Sequence, residues 1–205
     1  MTEKKWRGWA AVIAAAGWSG LILQFALSTM RWGSVAGAVW RLSIFFTILS
    51  NLTTAVIFTL IALGSTRLRH PLVLAGLALT MALVGAVFEL MLRRVVHPTG
   101  WRLVTNALLH DAVPLLTMAA WIMLAEKGRL RRRDPWLIAI FPIIYLGYAL
   151  IRGATGGFYP YPFIDPGRIG WGGVLAYVLA ISVAFLLFAH GMVWLDGWLA
   201  RRGKA

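Results

Sequence analysis

The chain has 205 residues, 60% of them hydrophobic and 13% charged, with a mean hydropathy of +0.76, and this composition excludes a soluble globular protein of its size. Cysteine is absent, which excludes disulfides, thiolate catalysis and cysteine-based metal sites. The net charge of +13 is carried by short basic clusters between apolar runs, a pattern typical of membrane topology signals and not of nucleic-acid binding.

Six apolar runs follow one another along the chain, and each is long enough to cross a hydrocarbon core of about 30 Å. The first run is too long for a signal peptide and ends without a small-residue cleavage site, so we expect a retained helix. The connections are short and contain no repeat, which predicts a single domain over residues 1–205. The predicted fold is all-α, a bundle of six transmembrane helices at residues 9–30, 42–63, 71–92, 103–124, 136–154 and 170–194.

The distribution of basic residues predicts the orientation of this bundle. Most of the 20 Lys and Arg residues lie at the N-terminus, in the second and fourth connections and in the C-terminal tail. Because basic residues favour the cytoplasmic side of a membrane, both termini are expected in the cytoplasm.

The second predicted helix carries more polar groups than a membrane span needs. At about 100° per residue, Ser43, Thr47, Asn51 and Thr54 fall on one face of it. Each hydroxyl can bond the carbonyl four residues earlier or join two helices, and the stripe can equally line a cavity. The sequence of this helix alone leaves both readings open.

Two polar side chains on different helices are predicted to lie at the same depth. In the predicted orientation the second and fourth helices both enter the membrane from the outside. At 1.5 Å per residue, Thr47 lies ~9 Å and His110 ~10 Å below the outer end of its helix. Most other strongly polar residues within the spans also fall in the outer half, and His190, near the inner end of the sixth helix, is the exception.

The sequence around His110 predicts an irregular helix. Pro114 lacks the N–H that would bond the His110 carbonyl, so a kink is expected there. Asp111 lies about 100° around the helix from His110, which makes Asn106, one turn earlier, the better hydrogen-bond partner. Two roles are open for His110. It is either a packing residue whose ring nitrogens are hydrogen-bonded within the bundle, or a general base for the Thr47 hydroxyl, which is predicted to lie at the same depth.

Further polar residues of the outer half are candidates for lining a pocket or its lid. Charges within a span cost about 2.5–3.5 kcal/mol each, so pairing is expected, for instance of Glu89 with Arg152. The Gly- and Pro-rich connection at residues 153–167 is either an interfacial turn or a lid, and Asp165 in it either caps the sixth helix or orients a polar group. The candidates are Glu89, Asp111, Tyr148, Arg152, Tyr161, Phe163 and Asp165.

Several of these residues occur in motifs that together carry a family resemblance. The motifs are Phe46-Thr47, Asn106 with His110 and Pro114, Gly147-Tyr148, and Tyr161-Pro162-Phe163-Ile164-Asp165. In their order and spacing the chain resembles the androgen-induced, FAR-type family of six-span membrane proteins and their bacterial relatives. The resemblance implies hydrolysis of fatty acid esters of hydroxy fatty acids by an intramembrane threonine nucleophile and a histidine, which fall on Thr47 and His110. It also implies a bacterial inner membrane.

The predicted activity is a threonine-dependent lipid ester hydrolase that forms an acyl-enzyme. His110 takes the Thr47 proton, and the side-chain amide of Asn51, or else that of Asn106, stabilises the oxyanion. Neither a metal nor another cofactor is required, and the expected partners are an ester lipid substrate and the surrounding membrane lipids. The site is expected toward the extracytoplasmic side.

Three other functions stay open on the sequence. A lipid acyltransferase would use the same pair with a lipid hydroxyl in place of water. A proton-coupled transporter or channel would use Glu89, Asp111, His110 and Arg152 as a relay, but it needs polar residues through the full thickness of the membrane. A haem or metal protein would need histidines at matching depth, and His110 and His190 lie near opposite ends of their spans.

Overall fold

The computed structural model describes residues 2–202, and this part of the chain is helical without any strand. Five of its helices are long and apolar enough to cross a membrane, and up to six when a bent pair is counted as one span. The all-helical membrane fold is therefore confirmed, while the exact number of spans and the orientation of the termini stay predictions. In chain order the α-helices are α1 (Glu3–Trp32), α2 (Val35–Leu42), α3 (Phe46–Ala62), α4 (Pro71–Val87), α5 (Trp101–Asn106), α6 (Val113–Leu124), α7 (Asp134–Gly156) and α8 (Pro166–Arg202).

Large apolar side chains cover the outside of these helices. Met30 and Leu90 are each 82% exposed, and Phe188 is 73% exposed. In water such side chains would lose the stabilisation that burial gives, whereas hydrocarbon tails solvate them. The exposed apolar surface therefore fits an integral membrane protein.

The chain divides into two compact units, Met1–Glu126 and Lys127–Ala205. The first unit contains α1 to α6, and the second contains α7 and α8. A single domain over residues 1–205 stays a prediction.

The second predicted helix, residues 42–63, is not one continuous helix. It is replaced by α2 and α3, whose axes are bent by 97° relative to each other. Phe45 has an extended backbone, with φ −85° and ψ 127°, and α3 begins after it. Ser43 lies at the end of α2, where its hydroxyl donates to the Trp40 carbonyl at 3.1 Å. The prediction that Ser43 shares one helix face with Thr47 is therefore wrong, and the polar face of α3 begins at Thr47.

Glycines on α1 allow other helices of the first unit to come close to it. A Cβ on Gly17 would lie 3.1 Å from the Ala55 Cβ on α3. A Cβ on Gly20 would lie 2.7 Å from a methyl group of Leu109. Small residues permit this close packing between apolar helices, where dispersion contacts drive association. They bring α3 and the segment around His110 to the same side of α1.

Two helices of the first unit contain π-helical turns. The segment Phe88–Leu92 continues α4, and the segment Ala107–Ala112 connects α5 to α6. In the second segment the Val113 N–H donates to the Leu108 carbonyl, five residues earlier. The irregularity predicted at Pro114 thus takes the form of a π-helical turn, and such turns are frequent at functional sites.

The second unit has fewer irregularities in its helices. The helix α7 contains Pro142 and is followed by Gly157, whose left-handed conformation (φ 66°) is typical of a C-terminal glycine. The helix α8 is interrupted near its start by Gly170, at φ 68° and ψ 163°. Both glycines occupy backbone conformations that other residues rarely adopt.

Candidate active site

The side chains of Thr47 and His110 meet within the first unit. Thr47 lies in the first turn of α3, and His110 lies in the π segment Ala107–Ala112. The Thr47 Oγ1 and the His110 Nε2 are 3.3 Å apart, and both residues are partly exposed. The predicted meeting of the two side chains is confirmed, and their catalytic roles stay predictions.

The hydrogen bond made by the His110 Nδ1 indicates the tautomer of the ring. The His110 Nδ1 lies 3.3 Å from the backbone carbonyl of Asn106. Because a carbonyl only accepts hydrogen bonds, Nδ1 is assigned as the donor to it, and in this tautomer of the neutral ring the lone pair of Nε2 faces Thr47. Asn106 was predicted as the partner of His110, and it acts through its backbone carbonyl.

Neighbouring helices fix the position of the His110 ring. The ring of Phe88 stacks on it, with 4.2 Å between centroids and 28° between planes. A Cβ on Gly85 would lie 3.3 Å from the His110 carbonyl oxygen, so a glycine there lets α4 approach the backbone of His110 closely. Packed against α4 in this way, the imidazole is held facing Thr47.

The position of Asn51 corrects its predicted role. The residue is fully buried, and its Nδ2 donates to the Thr47 carbonyl at 2.8 Å and to the Leu109 carbonyl at 3.1 Å. A primary amide has two N–H groups, and both are used by these bonds. Asn51 therefore has no donor left for an oxyanion in this arrangement.

An ion cluster adjoins the Phe88 ring. Arg93 donates from Nε to Glu89 at 2.5 Å and from Nη2 to Asp111 at 3.0 Å, and its guanidinium lies 5.2 Å from the Phe88 ring centroid. The hydrogen bond to Glu89 raises the pKa of Arg93 above its ordinary value, so the guanidinium stays charged. Arg152 was suggested as the partner of Glu89, and Arg93 was not, although its spacing of four residues from Glu89 indicates a pair on one helix face.

The remaining candidates lie in the second unit. Arg152 donates to the Tyr148 hydroxyl at 2.5 Å, and the rings of Tyr161 and Phe163 stack at 5.2 Å. The Asp165 carboxylate accepts the Gly167 N–H at 2.9 Å, which is the geometry of a residue that caps α8. A role of these residues as a lid over Thr47 and His110 stays a prediction.

Comparison of the chain with family models, curated proteins and solved structures gives no match. The resemblance to the FAR-type family therefore stays a prediction, and the geometry around Thr47 and His110 is the basis for inferring a function.

Proposed function

We propose that the protein is an intramembrane lipid ester hydrolase in which Thr47 is the nucleophile and His110 is the general base. The observation that carries the proposal is the 3.3 Å contact between Thr47 Oγ1 and His110 Nε2. A threonine hydroxyl is a weak nucleophile unless a base within hydrogen-bond reach removes its proton. The contact supplies that base within a helical membrane protein.

The first half of the reaction acylates Thr47. The His110 Nε2 takes the hydroxyl proton as the Thr47 Oγ1 attacks the ester carbonyl carbon. The tetrahedral intermediate then expels the alcohol oxygen, which takes the proton from Nε2. The products of this half are the free alcohol and an ester between the acyl group and Thr47.

The second half releases the fatty acid. A water molecule gives a proton to the His110 Nε2 as its oxygen attacks the acyl carbon. The Thr47 Oγ1 leaves and takes that proton back, which regenerates the free pair. Because the Asn51 amide is occupied, the side-chain amide of Asn106 is the predicted donor that remains for the oxyanion.

The proposed substrates are ester lipids. Helices whose outer surface is apolar give acyl chains direct access from the membrane. The resemblance to the FAR-type family supports fatty acid esters of hydroxy fatty acids, and it supports a bacterial inner membrane. The distribution of basic residues supports a site toward the extracytoplasmic side.

A long-chain alkyl fluorophosphonate tests the nucleophile, because attack on phosphorus expels fluoride and leaves a stable adduct. We expect wild type to be labelled and Thr47→Ala not to be labelled. The matched control is Thr53→Ala on the same helix, since the Thr53 hydroxyl donates to the Leu49 carbonyl at 2.9 Å and should not react. Labelling of Thr47→Ala at the wild-type rate would refute the proposal.

A further inference from the structure

We propose that Asn51 is a positioning residue, which holds the π segment Ala107–Ala112 in the conformation that places His110 against Thr47. This inference rests on the proposed function of that pair. It assigns to Asn51 a role through the backbone, in place of the predicted contact with the oxyanion.

The backbone carbonyl of Leu109 has no hydrogen-bond donor within its own helix. In an α-helix this carbonyl would accept from the N–H of residue 113, and in a π-helix from that of residue 114. The Val113 N–H donates instead to the Leu108 carbonyl, and Pro114 has no N–H. The π turn and the proline together deprive the Leu109 carbonyl of both usual helix donors.

The side chain of Asn51 supplies the missing donor from another helix. Its Nδ2 lies 3.1 Å from the Leu109 carbonyl, and the same nitrogen lies 2.8 Å from the Thr47 carbonyl. One amide therefore connects the backbone of the nucleophile to the residue that precedes His110. Because Asn51 is fully buried, water does not compete for these bonds.

The carbonyl oxygen of the Asn51 side chain is left unpaired among the described residues, and this destabilises the folded protein. The Asn51 Oδ1 is buried and has no hydrogen-bond partner within residues 2–202. An apolar side chain of similar volume would avoid this unpaired oxygen, but it would leave the Leu109 carbonyl unpaired. What asparagine provides at this position is the pair of N–H donors.

Loss of the donor should misalign His110. An unpaired buried carbonyl is stabilised by turning toward another donor, and the peptide unit shared by Leu109 and His110 would turn with it. The imidazole would then lose its alignment with the Thr47 hydroxyl. Misplacement of a reacting group by 1 Å can lower a rate by about 10²-fold.

Two substitutions separate the link to Leu109 from other effects. Asn51→Leu keeps the volume and removes both donors. In Asn51→Ser the hydroxyl can still donate to the Thr47 carbonyl, four residues earlier, but it is too short to reach Leu109. The matched control is Ser50→Ala, which changes a neighbouring buried hydroxyl that has no partner in the described part of the chain.

We expect kcat for ester hydrolysis to fall about 10²-fold in both Asn51 variants, with KM little changed, and to stay at the wild-type value in Ser50→Ala. A purely structural role would instead lower the folded fraction. If Asn51→Ser turns over at the wild-type rate, the bond to Leu109 does not position His110 and the inference is wrong.

A measurement that does not depend on activity separates this inference from the proposed function. Histidine side-chain ¹⁵N NMR of the detergent-solubilised protein reports the tautomer and hydrogen bonds of each ring. In Asn51→Ser we expect the His110 signals to shift while those of His70, His97 and His190 stay in place. Unshifted His110 signals would overturn the inference even if Thr47→Ala proves that the protein is a threonine hydrolase. Shifted signals in a protein without esterase activity would support the positioning role and refute the proposed function.

Discussion

The segments around His110 and His190 show the same local hydrogen bond in two different settings. The His110 Nδ1 lies 3.3 Å from the carbonyl of Asn106, and the His190 Nδ1 lies 2.8 Å from that of Leu186. In both cases the carbonyl is four residues earlier on the same helix. A helix can therefore satisfy one nitrogen of a membrane histidine by itself, and this bond does not indicate a function.

The difference lies at the other nitrogen and in the backbone. The Nε2 of His110 faces the Thr47 hydroxyl, and its ring is carried by a π turn next to Pro114. His190 is exposed within α8, and its ring meets the edge of Trp136 at 6.1 Å between centroids. What distinguishes His110 as a candidate base from His190 as a packing residue is the altered helical register that places its ring against the Thr47 hydroxyl.

Substitution of the two histidines should separate their roles most clearly. Because His110 is the proposed general base, His110→Ala should lower kcat/KM for ester hydrolysis by about 10²–10⁴-fold. His190→Ala should leave turnover unchanged. Steady-state kinetics of the two purified variants checks this, and a large loss in His190→Ala would mean that the site has been misplaced.

An intermediate effect is expected when a larger side chain on α1 pushes against the π segment Ala107–Ala112. A Cβ on Gly20 would lie 2.7 Å from a Leu109 methyl and 3.1 Å from the Leu108 Cβ, so Gly20→Ala should displace the residues before His110. Ordinary van der Waals contact begins at 3.4 Å, so relief of the 2.7 Å contact needs a shift smaller than the 1 Å that can lower a rate about 10²-fold, and we expect kcat to fall about tenfold. Gly8→Ala is the control on α1, because nothing lies within 4 Å of its new Cβ. Equal kcat values in the two variants would contradict the importance of this segment.

The smallest effect is expected at the ion cluster beside Phe88. Arg93→Met removes the cation that binds Glu89 and Asp111, but all three side chains are partly exposed, and such pairs stabilise a protein little. We expect a small fall in Tm and a loss of activity of about twofold, following the modest energy of exposed ion pairs. Thermal unfolding and kinetics measure both. A loss comparable to that of His110→Ala would place Arg93 in the catalytic machinery.

Much of the fold and the contact at the centre of the site could be predicted from the sequence. Apolar runs of sufficient length identify spans because the membrane thickness fixes their length. Thr47 and His110 were predicted to be level because the rise per residue is constant, although the helix carrying Thr47 begins later than expected. The depth predicted for Thr47 assumed a helix that begins at residue 42, whereas α3 begins at Phe46 and Thr47 lies in its first turn. The contact with His110 is therefore confirmed, but the depth of ~9 Å below the end of the helix was wrong.

Local departures from regular helix were not predicted. Residues 43–45 contain neither Pro nor Gly, so the bend between α2 and α3 has no sequence signal of the usual kind. Pro114 predicted an irregular helix but not its form, since a kink and a π turn both accommodate a missing N–H. The bond from Asn51 to the Leu109 carbonyl depends on that form, because the π turn together with Pro114 leaves this carbonyl without a helix donor.

The role of Thr47 as the nucleophile is tested by identifying the residue that becomes covalently modified. Wild-type protein is treated with the alkyl fluorophosphonate, digested and examined by tandem mass spectrometry. We predict one adduct on the hydroxyl of Thr47, and no adduct in Thr47→Ala. An adduct on any other residue, or an unmodified Thr47 in protein that is hydrolysing ester lipids, would show that Thr47 is not the nucleophile.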